Sequence, residues 1–222
     1  MISILMPIYN GINFIEESVS SVLRQTHSEW ELVIGINGHP PNSDVYQIAK
    51  KYELISNKIK VFDYVDVKGK SNTLNAMLKE CVGNYVALLD VDDIWRDNKL
   101  KIQSCKMDMY DVIGSRCVYF GDLNGIIPAI PVGDITHFDF TSVNPIINSS
   151  SLIRKQLCYW NPGFIVEDYD LWLRLKKSGH TFFNFSEILV KHRIHTESAF
   201  NSKGNNLSVP QLLATFNMLN HC

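Results

Sequence analysis

The sequence predicts an α/β protein built on a mostly parallel sheet with helices packed on both faces. Three observations predict it. The first half alternates short apolar runs with helix-period segments, and those runs are apolar throughout, as in strands buried on both faces. Three of the runs end in polar residues, at Tyr9-Asn10, Asn37 and Asp90-Val91-Asp92-Asp93. Open sheets of this kind bind ligands outside the carboxyl ends of their strands.

Residues 2–8 read as the first strand, with Ile2, Ile4, Met6 and Ile8 in the run and Pro7 near its end. Asn10-Gly11 turns the chain. Asn13, with Glu16 three residues on, has the form of a capping box for a helix whose stripe is Ile15, Val19, Val22 and Leu23. Residues 32–36 form the second strand and 37–43 a Pro/Gly-rich loop. Val45, Ile48, Ala49 and Tyr52 mark the second helix. A third strand over 59–62 leads to a helix that Ser71 can cap, carrying Leu74, Met77, Leu78 and Cys81, and 85–89 is a fourth strand. Beyond it the pattern loosens. It predicts a helix over 99–110, a strand over 115–120 turning at Asp122-Leu123-Asn124-Gly125, and a strand over 149–153. A helix over 167–177 is stopped by Gly179, and strands follow over 182–185 and 188–194. Residues 198–222 are polar and then weakly helical, as in a flap or tail.

At 222 residues, 45% hydrophobic and 20% charged, the chain can bury a core without disulfides or structural metals. A net charge of −2 with no Lys/Arg block argues against nucleic acid as a partner. Cys81, Cys105, Cys117, Cys158 and Cys222 form no C-x-x-C pair, which suits reduced thiols and excludes a zinc cluster. No run is long enough for a membrane-spanning helix, and the apolar opening is too short for a signal core. The expected location is cytoplasmic. The N-x-S/T triplets at Asn148, Asn184 and Asn206 are then chance matches.

Three segments carry chemistry. Asp90 and Asp92, two apart in extended backbone, point the same way and can serve one ligand. A hard cation such as Mg²⁺ or Mn²⁺ is held by such carboxylates together with substrate phosphates, while the competing reading is a solvated, acidic turn. Glu167-Asp168-Tyr169-Asp170 crowds acids into the first turn of a helix that Trp172 and its leucines would bury. Acids there complement the helix dipole, so this segment alone reads first as a cap and second as a general base. In His192-Arg193-Ile194-His195, strand alternation sends His192 to the packed face and leaves His195 at the strand end for a ligand role. The other histidines suggest nothing.

Together these pieces resemble the family-two glycosyltransferases of the GT-A fold. The resemblance rests on Pro7-Ile8-Tyr9-Asn10, Gly69-Lys70-Ser71-Asn72-Thr73-Leu74-Asn75, Asp90-Val91-Asp92-Asp93, the Glu167–Leu175 segment and Arg193-Ile194-His195, in that order along residues 2–197. It implies one GT-A domain over 1–222, with a Rossmann-like nucleotide half (1–93), a smaller, continuous acceptor half (94–197) and the tail. It also implies inverting transfer of a hexosyl or N-acetylhexosaminyl group from a nucleoside-diphosphate sugar, most often a UDP-sugar. The acceptor would be a glycan, a protein or a small molecule, and a homodimer is compatible with it.

Carried over residue by residue, Tyr9 would stack on the base, Pro7 would shape the pocket floor, and Asn72 and Asn75 would line the nucleotide pocket. Asp90, with Val91 beside it, would face ribose or sugar hydroxyls. Asp92 would bind Mn²⁺ or Mg²⁺, with His195 as a further metal or phosphate contact. Asp168 would deprotonate the acceptor, and Glu167 would hold acceptor or donor sugar. One departure stands out: where the family has a pair of aspartates after the second strand, this chain has Ile36-Asn37. Asn37 can still read a pyrimidine edge, since it both donates and accepts. That loss of charge keeps a non-catalytic binding module in view. A nucleotidyltransferase is disfavoured because no glycine-rich, basic loop follows the first strand.

Overall fold

A computed structural model describes residues 1–196 and 205–218. The first half forms β1 (Ile2–Ile8), α1 (Ile15–Leu23), β2 (Trp30–Asn37), α2 (Asp44–Lys50), β3 (Ile59–Tyr64), α3 (Lys70–Met77) and β4 (Tyr85–Leu88). Then come β5 (Ile94–Trp95), α4 (Lys99–Ser104), β6 (Val112–Gly121), β7 (Gly133–Asp134), β8 (Leu152–Arg154), α5 (Glu167–Lys177), β9 (Phe182–Ile194) and α6 (Asn205–Met218). The strands make one sheet in the order β3-β2-β1-β4-β8-β6-β9-β5, with β7 paired to β9. β1 to β4, β6 and β9 run one way, and β5, β7 and β8 run against them. The expected sheet, mostly parallel and covered on both faces, is the one observed.

Burial follows from the sequence. β2 and β4 are buried at every position, so both sheet faces must be covered. On one face Ile4, Ile8, Ile34 and Ile36 pack with Ile15, Val19 and Val22 of α1 and Ala49 of α2. On the other, Leu5, Val33 and Leu88 pack with Leu74 and Met77 of α3 and Leu171, Trp172 and Leu173 of α5. Leu212 of α6 joins this second core, so α6 covers the middle of the expected flap, while residues 197–204 and 219–222 lie outside the described residues. Cys81, Cys105, Cys117 and Cys158 are free thiols.

Several local expectations are corrected. Asn13 builds no capping box: a tight turn over Ile12–Phe14 precedes α1, whose start has no side-chain cap. Leu23 is exposed, and Ser18 and Ser21 take its place on the buried side. Ser71 lies inside α3, which starts after Gly69, and its hydroxyl donates to the Asn161 carbonyl at 3.3 Å. The helix over 99–110 ends at Ser104, because the chain must reach Asp111, whose amide pairs with the Thr181 carbonyl beside β6. The two strands over 182–194 are one, β9, whose pairing with β6 slips on either side of Arg116. A bulge there interrupts the two-residue alternation and looks like a strand end in the sequence.

The starts of β1, β2 and β4 meet in a buried polar knot. Glu31 Oε1 accepts from Ser3 Oγ at 2.7 Å and from the Val82 amide at 2.6 Å, and the Gly83 amide donates to Ser3 Oγ at 2.9 Å. A Cβ on Gly83 would lie 2.7 Å from the Ser3 amide nitrogen, so only glycine allows the approach. Burial pushes the Glu31 carboxyl up, but the Val82 amide, Ser3 and Lys60 outweigh it and hold it below its ordinary range. A depressed carboxyl adds stability above its unfolded pKa and loses it as pH falls through the folded value. Glu31→Ala strands the Ser3 and Val82 donors. Urea unfolding at neutral pH is expected to show a loss of about 1–3 kcal/mol per stranded group, shrinking toward acid.

Candidate functional site

β1, β2 and β4 end together, and the loops beyond them carry the site. Leu89 still pairs with the Leu5 carbonyl, so β4 delivers Asp90, Val91, Asp92 and Asp93 at the rim of the sheet. Asp90 is saturated with donors. Lys70 Nζ lies 2.8 Å from its Oδ1, and Asn148 Nδ2 and Ser149 Oγ donate to its Oδ2 at 2.9 and 3.3 Å. Burial pushes the Asp90 carboxyl up, but Lys70 and Asn148 prevail and hold it low. The other Asn148 atom, Oδ1, is buried with no protein partner.

Asp92 faces His195 across 2.9 Å, Oδ2 to Nε2. Its carboxyl is pushed up by burial and by the neighbouring charges of Asp93 and Asp90, against the bond from His195. Asp93 is fully buried beneath them, with His192 Nδ1 at 3.0 Å and the Arg193 amide at 2.9 Å. His192 loses charge stability by burial but gains more from Asp93, which lifts it to about 9. It is thus satisfied by Asp93, as expected of this histidine, but half-buried at the end of β9 and not in the core. Arg193 Nε donates to the Asp92 carbonyl at 2.9 Å, and its guanidinium lies 4.3 Å from the ring centres of both Phe14 and Phe120. Asp93 and Arg193 tie the end of β9 to the end of β4, and so carry His195 to Asp92.

The acids of α5 reach the same rim. Glu167 Oε1 lies 3.1 Å from Lys70 Nζ, so one ammonium group joins Glu167 to Asp90. Asp168 accepts from Asn144 Nδ2 at 3.3 Å and from the Tyr169 amide at 2.8 Å. Burial, and then the charge of Glu167, push its carboxyl up to about 6. Asp170 faces Arg174 at 2.8 Å, an ordinary intrahelical pair.

The expected nucleotide residues are arranged less uniformly. Tyr9 is 57% exposed at the end of β1, a surface on which a base can stack, and His39 Nε2 holds its carbonyl at 2.6 Å. Gly38 has φ 76°, and a Cβ there would meet the Tyr9 ring at 2.5 Å. Pro7 pairs in register with Gly35, and Asn37 is buried at the end of β2. Val91 is buried against Gly11. Asn72 is exposed and donates to the Lys68 carbonyl at 2.9 Å. Both ends of the Asn75 carboxamide bond the Trp160 backbone, at 2.7 and 3.0 Å, so this side chain ties α3 to the segment ahead of α5. A broad cleft of about 750 Å³ opens elsewhere, at the β5–β9 edge, lined by Arg24, Trp95, Arg96 and Lys191 but by none of these acids.

Sequence reading missed Lys70, Asn148, Ser149, Asp93 and Arg193 as parts of the site. Lys70, Asp93 and Arg193 stand inside the motifs that carry the resemblance, with no role assigned; Asn148 and Ser149 have no local signal, since Asp90 lies about 60 residues away. No helix among the described residues is long and apolar enough to cross a membrane. Nor do those residues hold three or more His, Cys, Asp or Glu side chains grouped as a metal site.

A sheet of this order with acids at the β4 terminus fits the GT-A fold. The model of glycosyl transferase family 2 matches residues 3–175, and the chain belongs to that family. It is 29% identical over 221 residues to the Escherichia coli UDP-Glc:alpha-D-GlcNAc-diphosphoundecaprenol beta-1,3-glucosyltransferase WfgD, covering 91% of this chain and 81% of that protein. It is also 29% identical to the uncharacterized glycosyltransferase RC0461 of Rickettsia conorii, over 89% of this chain but only 34% of that protein's length. Among solved structures it resembles Staphylococcus aureus TarS 1-349 in complex with UDP-GlcNAc, with a TM-score of 0.77 at 18% identity over 97% of this chain and 66% of that one. The Pyrobaculum calidifontis mannosyltransferase PcManGT, in complex with GDP-Man and Mn²⁺, is similar with a TM-score of 0.69 at 12% identity, over 98% of this chain and 73% of that one.

Because Asp93 is wholly buried, its removal takes the shared carboxylate from both His192 and the Arg193 amide. Asp93→Ala is expected to lower stability by about 3–5 kcal/mol in urea unfolding, the cost of breaking a buried pair. A change within about 0.5 kcal/mol, the usual range for a surface substitution, would mean that β9 is anchored some other way.

Proposed function

We propose that the chain transfers a hexose or N-acetylhexosamine from a UDP-sugar to an acceptor hydroxyl, with inversion at the anomeric carbon. One observation carries this reading: Lys70 brings Asp90, at the end of β4, and Glu167, at the start of α5, to a single charge, so donor-side and acceptor-side acids share one rim. Family membership supports it, as do the UDP-sugar donor in the name of WfgD and the UDP-GlcNAc bound by TarS. WfgD's name also gives a lipid-diphosphate-linked sugar as acceptor, and an acceptor of that class is consistent with this reading.

Tyr9 offers its exposed ring to the base, and Asn37 offers a donor and an acceptor to a pyrimidine edge. Asp90, fixed by Lys70, Asn148 and Ser149, presents a rigid carboxylate edge to ribose or sugar hydroxyls. A divalent ion, Mn²⁺ or Mg²⁺, fits Asp92 and His195: they supply an oxygen and a nitrogen, where burial and then the charges of Asp93 and Asp90 raise the Asp92 carboxyl. When bound, such an ion offsets charge developing on the leaving diphosphate.

Asp168 is the base. The acceptor oxygen forms its bond to the anomeric carbon as the bond to the diphosphate oxygen breaks, and the hydroxyl proton passes to the Asp168 carboxylate. At about 6, the Asp168 carboxyl is ionised at neutral pH yet far more basic than an ordinary aspartate. Turnover should therefore rise with pH through an acidic limb near that value. Asp168→Asn is expected to leave UDP binding and melting temperature near wild type while slowing transfer by about 10²–10⁴-fold. Calorimetry paired with a UDP-release assay checks this, and wild-type transfer by Asp168→Asn would restore the helix-cap reading. EDTA should abolish transfer, and added Mn²⁺ should not rescue Asp92→Ala. Full activity of Asp92→Ala in chelator would sink the metal reading.

A further inference from the structure

Lys70 is placed more deliberately than donor binding alone requires. It is the first residue of α3, behind Gly69 with φ 84°, and its ammonium group reaches out of the helix to two carboxylates on different elements. Its Nζ lies 2.8 Å from Asp90 Oδ1 and 3.1 Å from Glu167 Oε1. Neither partner can turn away easily. Asp90 is held from its other oxygen by Asn148 and Ser149, and Glu167 is buried at the start of α5. Asp168 follows Glu167 directly at the start of α5, and the Lys70 charge acts to lower its carboxyl.

We propose that Lys70 is the positioning residue that sets the proton affinity of Asp168, keeping the base ionised at neutral pH through a charge shared with Asp90 and Glu167. This rests on the reading of Asp168 as general base. The groups around Asp168 make the balance legible. Glu167 precedes it on its own helix, and Asp170, one turn further, is neutralised by Arg174. Asn144, from the segment before β8, is neutral, and so is Tyr169, whose hydroxyl bonds the Phe140 carbonyl. Lys70, from α3, is then the one cation among these groups not already claimed within α5, and Asp90 lies beyond it. Burial, and then Glu167, raise the affinity of Asp168 for a proton, and Lys70 opposes them, directly and by pairing with Glu167. Without Lys70 the base would hold its proton to higher pH. A neighbouring opposite charge typically lowers a carboxyl by about 1–3 pH units, and an effect at the low end of that scale is expected here because Lys70 bonds Glu167 and Asp90.

The test compares Lys70→Gln, which keeps hydrogen-bonding capacity without charge, with Lys70→Arg, which keeps the charge. In Lys70→Gln the acidic limb of kcat/KM should move up by about one pH unit or more, with activity recovering toward alkaline pH; Lys70→Arg should keep the limb near wild type. Carbon NMR of the Asp168 carboxyl in the UDP-free protein should give the same displacement with no turnover involved. A uniform loss of rate in Lys70→Gln, with limb and carboxyl titration unmoved, would reduce Lys70 to a donor contact and overturn the proposal. If instead the wild-type limb persists in Asp168→Asn, the base reading itself fails and takes this proposal with it. The two failures are thus told apart by which variant leaves the limb in place.

Discussion

Asp90, Asp92, Asp93, Glu167 and Asp168 bring five carboxylates to one rim of the sheet, and like charges that are partly buried must either take up protons or find cations. Each available solution is used. Asp90 and Glu167 share Lys70, and Asp93 is buried against His192 and the Arg193 amide. Asp92 meets His195, while Asp168 answers by holding its proton more tightly. The surrounding architecture follows from this need. α3 must begin where Lys70 can reach both sides, and β9 must run on to His195. The turn over Asn148–Ser150 must sit beneath Asp90. An apolar core alone would not specify any of these placements.

The fold was legible because its signal is local. Apolar runs separated by helix-period segments are visible in a window of a dozen residues, and β1, β2, β3 and β4 fall where that pattern puts them. The second half was less legible for identifiable reasons. β5 and β7 are two residues each, too short to carry a period. The bulge opposite Arg116 breaks the alternation of β9 in two, and the residues after Ser104 keep turn-like hydrogen bonds that prolong the helix pattern without being helix.

The candidate site divides along the same line. Residues in compact motifs, Asp90, Asp92, Glu167, Asp168 and His195, were named from the chain alone, and the structure brings them to one rim. Residues that act through distant partners were not. Asn148 looks like an ordinary loop residue, or even a glycosylation triplet, until its amide is seen to bond Asp90. Asn75 shows the converse: a residue in a nucleotide-associated motif whose carboxamide is taken up by the Trp160 backbone. Motif membership gives a position on the rim but does not say what the side chain touches there.

The knot of Glu31, Ser3 and Gly83 has a consequence for how the sheet is assembled. Parallel strands pair only after long crossovers, so β1, β2 and β4 must find one another across distant stretches of chain. Apolar runs such as these offer few internal marks, and a pairing slipped by two residues would still bury hydrophobic side chains. Glu31 supplies the missing mark. In a slipped arrangement its carboxylate would enter the interior without the Ser3 hydroxyl or the Val82 amide, a penalty that no amount of apolar contact nearby removes. The knot thereby acts as a register mark, making near-miss sheets costlier than the one that lines the acids up along a single edge.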